Sequence, residues 1–193
     1  MSELLITAAP AAYEAAKDAF QNMYRLVTGR EIPTSLQDDG KSDLFVLGTD
    51  AVSDFLMNEV LDGRIKTFSL QYGTDDYRIL SYRKDGRRVV VLAGGRVRST
   101  LYAVYDYFER YAGCRYFWDG DITPHRDELP MQDIDVTESP RFEYRGLRYF
   151  AHRGLRRFQA EHWSLDDWKK ELDWLIKRRL NFFMLRIGMD DVW

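Results

Sequence analysis

Residues 77–95 read YRILSYRKDGRRVVVLAGG, the strongest β signal in the chain. Two runs, Tyr77 to Tyr82 and Arg88 to Ala93, flank Lys84-Asp85-Gly86, and Asp-Gly favours a tight hairpin turn. The expectation is an antiparallel hairpin that ends at Gly94 and Gly95. Downstream, Leu101, Val104, Tyr105, Phe108 and Tyr111 fall on one stripe of a helix from about Ser99 to Tyr111, which Gly113 stops. Upstream, Leu4 to Thr7 reads as a strand, and Pro10 sits where a helix begins its first turn. Ala12, Ala16, Ala19, Phe20, Met23 and Val27 then recur at three- and four-residue steps, predicting a helix from Ala11 to Thr28 with Gly29 as its stop. A loop from Ile32 to Ser42 leads to a buried strand, Leu44 to Leu47. A second, shorter helix follows through Leu61, with Asp50 or Ser53 as its cap. Strand, helix, strand pair and helix together describe an α+β sandwich domain over residues 1–118, a β-sheet with helices packed on it.

Residues 119–140 hold three of the five prolines, Pro124, Pro130 and Pro140, around a short apolar patch at Ile134 to Val136. They read as a linker with one edge strand. The pattern then changes over residues 141–193. Tyr144 to Ala151 reads as a strand, Ser164 to Arg179 as an amphipathic helix and Leu180 to Ile187 as an apolar strand, which is one β-α-β unit of a parallel sheet. Ser164 is the expected N-cap with Asp167 at the capping-box position, and Trp168, Leu172, Leu175 and Ile176 form the expected buried face. Two parallel strands cannot cover both of their faces, so this unit reads as the opening of a larger domain.

Of the 193 residues, 45% are hydrophobic, enough for one sizeable core and too many for a disordered tail. Lys and Arg total 28 against 31 Asp and Glu, so a net charge of −3 gives no electrostatic case for a nucleic-acid partner. The longest apolar runs fall far short of the ~20 residues that cross a bilayer, which predicts a soluble protein with no membrane partner. Met1 to Ala9 carries Glu3 and no Lys or Arg, so the basic start of a secretory signal is missing. The expectation is a cytoplasmic protein if Met1 is the native start, and a secreted or periplasmic one if a signal has been removed. Cys114 is the one cysteine, which excludes an internal disulfide and a multi-cysteine zinc site. Aromatic residues make up 15%, and such rings also stack on the C–H faces of sugars, although a core position is the commoner role for any one of them.

The turn from Gly94 to Ser99 follows a strand and opens a helix, so its N–H groups and Arg96 and Arg98 form a candidate anion cradle. It lacks both the P-loop and the dinucleotide-binding glycine patterns, and close packing of the helix is the better reading. His125, His152 and His162 do not have metal-ligand spacing, so no metal and no cofactor is expected. Cys114 has no neighbouring base and reads as a core thiol. Arg145, Arg148, Arg153 and Arg156 crowd beside Tyr144, Tyr149 and Phe150 as an anion-attracting patch or a domain-facing strand end. In β/α folds ligands bind beyond the C-terminal ends of the parallel strands. That rule singles out His152, Arg153, Arg186, Asp190 and Asp191, of which the last two are adjacent and point to opposite sides of an extended chain.

Gly94, Gly95, Ser99, Leu101, Tyr102, Ala103, Tyr105 and Phe108, then Gly113-Cys114-Arg115-Tyr116-Phe117, a proline-containing segment and Phe142-x-Tyr144-Arg145-Gly146, resemble the N-terminal part of large exo-acting glycoside hydrolases. These are the β-N-acetylhexosaminidase, α-glucuronidase and α-N-acetylglucosaminidase families. Trp168, Glu171-Leu172-Asp173-Trp174-Leu175, Leu180-Asn181, Gly188, Asp190 and Trp193 look most like the α-N-acetylglucosaminidase family. The resemblance implies a fold in which the α+β domain is followed by the first β-α-β unit of a truncated (β/α)8 barrel. It also implies that Arg153 falls at the hexosaminidase arginine that holds the sugar, and that His152 replaces the sugar-binding asparagine of the α-N-acetylglucosaminidases. Met184 and Arg186 stand where hexosaminidases have His-x-His. The catalytic carboxylates of these families lie on later strands, so no catalytic residue is expected in this chain.

The expected function is that of a non-catalytic domain and barrel start of an enzyme that removes terminal sugars, with N-acetylglucosamine or a uronic acid as candidate classes. Its expected partners are a carbohydrate bound by the complete barrel, with His152, Arg153, Arg186 and Asp190 as the substrate-binding residues, and the remainder of the parent chain. An uncovered barrel face also predicts self-association. The rival reading is a stand-alone carbohydrate-binding or protein-interaction module without catalysis.

Overall fold

A computed structural model describes residues 3–7, 11–68, 70, 73–148 and 163–184. The chain divides into two compact units, residues 1–115 with 122–141, and residues 116–121 with 142–193.

The first unit is built on a six-stranded sheet in the order β2-β1-β3-β5-β4-β8, where β1 is Glu3–Thr7, β2 Thr34–Ser35, β3 Asp43–Leu47, β4 Tyr77–Lys84, β5 Arg87–Gly94 and β8 Asp135–Glu138. Strands β2, β1, β3 and β5 run parallel, and β4 and β8 add antiparallel pairings at one side. The expected hairpin is β4–β5, and its turn places Asp85 at φ 50° and Gly86 at φ 82°, the left-handed pair that a two-residue turn needs. Two edges with little to offer a neighbour close the sheet: β2 has two residues, and β8 has four in a half-exposed pattern.

Period-two alternation sends the strand side chains to two cores. On one face Leu4, Ile6, Leu44, Val46, Val89 and Val91 pack with Leu56, Ile65, Phe68 and Leu70, which come from helix α2 (Asp54–Leu61) and the segment after it. On the other face Phe45 meets Phe20 of helix α1 (Glu14–Thr28) at 4.9 Å and Tyr107 of helix α3 (Val97–Tyr107) at 5.7 Å between ring centroids. Helices therefore lie on both faces of a mixed sheet, an arrangement compatible with an α+β domain.

Local signals explain where the helices begin and end. Ser53 caps α2 by accepting from Leu56 N–H, and Gly29 closes α1 at φ 69° while donating to Arg25 C=O (2.8 Å). The third helix opens at Val97, two residues before the expected Ser99, and its last turn widens into a π-turn, Phe108–Ala112, before Gly113 stops it at φ 85°. Residues 122–141 complete this unit: Arg126 N–H donates to Val27 C=O (2.8 Å), Tyr107 donates its hydroxyl to Pro130 C=O (2.6 Å), and Leu129, Met131 and Ile134 are buried. Among the described residues no helix is long and apolar enough to cross a membrane.

The second unit contains strand β9 (Gly146–Arg148), helix α4 (Leu165–Lys177) and strand β10 (Phe182–Met184), with β9 and β10 parallel in the register Gly146↔Phe182 and Leu147↔Phe183. Between β6 (Arg115–Phe117) and β7 (Gly120–Ile122), which pair as a two-stranded ribbon, the chain contributes residues 116–121 to this unit.

Candidate functional site

The C-terminal ends of β9 and β10 are the place where a β-α-β unit presents a site, and the local sequence explains how the two strands are aligned. At the opposite, N-terminal ends, Asn181 Oδ1 accepts from Arg145 N–H (2.8 Å), Asn181 Nδ2 donates to Glu143 C=O (2.7 Å), and Phe182 N–H donates to Arg145 C=O (3.0 Å). Gly146 allows the close approach that follows: a Cβ there would stand 1.9 Å from Phe182 O. Arg145 is occupied as well, since its guanidinium donates to Arg179 C=O (3.0 Å) and Phe142 C=O (2.8 Å). Its role in the described fold is to hold the strand ends rather than to join an anion-binding patch. Arg148 closes β9, while Arg153 and Arg156 lie outside the described residues.

Helix α4 spans the two strands. Ser164 and Asp167 form the expected capping box, with Asp167 Oδ2 accepting from Ser164 N–H (2.9 Å) and Ser164 Oγ accepting from Asp167 N–H (3.3 Å). The Ser164 hydroxyl also donates to Asp167 Oδ2 (2.7 Å), and this bond, with the one from Ser164 N–H, holds the Asp167 carboxyl below its ordinary pKa. Of the expected face, Leu175 is buried and Trp168 and Ile176 are half-buried, whereas Leu172 is 48% exposed and Glu171 is buried in its place. Trp118 draws Glu171 inward, donating its indole N–H to Glu171 Oε2, and burial raises the Glu171 pKa above the ordinary value while the indole bond opposes it. Nearby, Lys177 reaches Asp121 (2.6 Å) and lies over the Tyr116 ring. Trp168 contacts Phe183 of β10 edge-on at 5.6 Å between centroids.

The sequence-derived sugar-binding residues His152, Arg153, Arg186 and Asp190, with Asp191, lie outside the described residues, so the strand ends on which they follow are as far as the described fold reaches. The first unit settles the second candidate. At the Gly94–Ser99 turn, Asp75 occupies the place of an anion: it pairs with Arg98 (Nε to Oδ1 2.7 Å) and Arg96 (Nε 3.5 Å). The glycine serves packing, because a Cβ on Gly94 would stand 2.2 Å from Thr100 N. Cys114 is a buried thiol that forms no disulfide. Among the described residues no three His, Cys, Asp or Glu side chains are grouped to hold a metal ion.

Two arrangements were missed by sequence reasoning. One is the Trp118–Glu171 bond, which joins residues 53 apart that carry no shared motif. The other is a crevice of about 470 Å³ beside Thr7, Gln37, Asp54 and Asn58 in the first unit. It depends on strand order, and β2 is a two-residue strand hidden in what reads as a loop.

No family model and no curated protein matches the sequence. Among solved structures, a family GH115 4-O-methyl-α-glucuronidase with specificity for decorated arabinogalactans overlays 93% of this chain with a TM-score of 0.60 at 16% identity. The fold is related to that of a glycoside hydrolase. The overlay takes in 24% of the glucuronidase chain, so this sequence spans about a quarter of the length of its structural neighbour. A second structure, CpGH84D, overlays 53% of this chain and 16% of its own at 14% identity, with a TM-score of 0.42.

Proposed function

We propose that this chain is the N-terminal accessory domain and barrel start of a glycoside hydrolase that removes a terminal sugar, with the accessory domain in the unit of residues 1–115 and 122–141 and the barrel start in the unit of residues 116–121 and 142–193. The observation that carries the reading is the overlay of 93% of the chain on 24% of an α-glucuronidase, with a TM-score of 0.60. The second unit supports it. Phe142 (66%) and Tyr144 (72%) before the parallel pair and Phe182 (44%) within it are exposed, apolar surface that further strands and helices of a barrel would cover.

In this reading His152, Arg153, Arg186 and Asp190 follow the barrel strands at their C-terminal ends and bind the terminal sugar, a uronic acid or an N-acetylated hexosamine. Arg153 carries a guanidinium suited to a ring hydroxyl or carboxylate through two parallel bonds. The cleavage itself is assigned to two carboxylates from later strands of the complete protein, one acting as acid and the other as base or nucleophile. The remainder of the parent chain is then the main partner, and self-association of the isolated unit follows from the same uncovered faces.

The test is an assay of the complete natural polypeptide on aryl α-glucuronides and aryl N-acetylglucosaminides, with Arg153→Ala alongside. Loss of a charged hydrogen bond costs roughly 1.5–3 kcal/mol, so kcat/KM on the accepted glycoside should fall at least about ten-fold. A fall of less than a few-fold removes Arg153 from the sugar site, and no hydrolysis of any aryl glycoside removes the enzymatic reading.

A further inference from the structure

The first unit has the topology of a ligand-binding sheet. Strands β1 and β3 are parallel neighbours, yet their connections part: β1 leads through α1, on the Phe45 face, to β2 at one side, and β3 leads through α2, on the opposite face, toward β4 and β5 at the other. Where two parallel neighbours diverge in this way, a crevice opens beyond their C-terminal ends, and open α/β sheets bind their ligands there. A crevice of about 470 Å³ lies at this position, lined by Thr7 at the end of β1, by residues following β2 and by the loop and first turns after β3. Its volume is within the range of small-molecule sites, about 300–1,000 Å³.

The chemistry of the lining narrows the ligand. Gln37, Asp54 and Asn58 bring two amides and a carboxylate whose polar groups are held by no partner among the described residues. Asp38, also in the lining, is engaged by Arg87 through two bonds (2.6 and 2.8 Å), so it is neither a free anion nor a free ligand for a cation. One available carboxylate is too few for a dehydrated divalent ion, which takes several oxygen ligands including carboxylates. Among the described residues the lining also offers an anion no unpaired cation, and Asp54 repels it. Leu36 and Phe55 add apolar surface. Amides that both donate and accept, one carboxylate acceptor and apolar walls match a neutral ligand with many hydroxyls and C–H faces.

We propose that this crevice is a binding site for a neutral monosaccharide or disaccharide unit. The site belongs to the first unit and does not rest on the barrel reading of the second.

The test is an amide NMR titration of the 193-residue chain with D-glucose, D-galactose and lactose, with sodium glucuronate and calcium chloride as parallel arms. A neutral sugar should give saturable shifts confined to the amides of residues 7, 36–38 and 52–58, with affinity at least about ten-fold above that for glucuronate, and Asn58→Ala and Asp54→Asn should each weaken it about ten-fold. Both positions are exposed, and unchanged amide spectra elsewhere will show that the variants fold. Shifts that do not saturate, that survive both substitutions, or that appear equally with glucuronate or calcium overturn the proposal. Failure here leaves the aryl-glycoside assay of the parent protein untouched, so the two readings fall separately.

Discussion

Trp118 donates its indole N–H to the buried carboxylate of Glu171, and among the described residues Glu171 Oε1 has no hydrogen-bond partner. A carboxylate placed this way is short of donors and desolvated, so burial raises its pKa above the ordinary value of 4.5. A carboxyl whose folded pKa lies above its unfolded value contributes most below the unfolded pKa, and the contribution is lost as pH rises through the folded one. Glu171→Gln keeps an acceptor for Trp118 without the charge. The variant should therefore be more stable than the parent at pH 8, by about 1 kcal/mol, with the advantage gone at pH 4. Thermal melts followed by tryptophan fluorescence at the two pH values measure both.

Gly146→Ala should disrupt the parallel pair. Its Cβ would meet the Phe182 carbonyl, a backbone atom that cannot swing away as a side chain could. The expected cost is at least about 2 kcal/mol, read as faster amide hydrogen exchange at Leu147 and Phe183 with exchange in β3 and β5 unchanged.

Asp75→Ala should turn the strand-to-helix turn at Gly94 into an anion site. Removing the carboxylate leaves the guanidiniums of Arg96 and Arg98 without the partner they share, at an expected cost of roughly 1–2 kcal/mol. Inorganic sulfate should restore part of the lost Tm in this variant and raise the Tm of the parent no more than sodium chloride of equal ionic strength does.

Acid should weaken the loop before β3. The Asp39 carboxylate accepts from the N–H groups of Ser42 (2.8 Å) and Lys41 (2.9 Å) and from the Ser42 hydroxyl, interactions that hold its pKa at about 2. A depressed carboxyl contributes stability above its unfolded value near 3.8, and that contribution is lost as pH falls toward 2. Asp39→Asn should flatten the stability profile across this window, as measured by urea unfolding at pH 2, 3, 4 and 6.

What could be read from the sequence was what short-range chemistry decides. Asp85-Gly86 announces the hairpin, Gly29 and Gly113 announce helix ends, and Ser164 with Asp167 announces the start of α4, because each signal acts within four residues. The buried face of α4 was harder to read. Leu172 fits the apolar stripe, but Trp118 selects the Glu171 side, and a partner 53 residues away leaves no periodicity in the helix itself. Strand β2 was missed because two residues after Pro33 have no pattern to show, and with it went the strand order that exposes the crevice near Asn58. The assignment of His152, Arg153, Arg186 and Asp190 rests on family resemblance and on their place after parallel strands, and these positions lie beyond the described residues.

The most direct measurement is the mass of the natural polypeptide that carries this sequence, isolated from its source cell with an antibody to residues 11–68, against the 22.8 kDa of this chain. A barrel-bearing glycoside hydrolase requires a product several times heavier, with the catalytic carboxylates on its later strands. A product of 22.8 kDa would contradict the assignment and leave a small carbohydrate-binding or interaction module in its place.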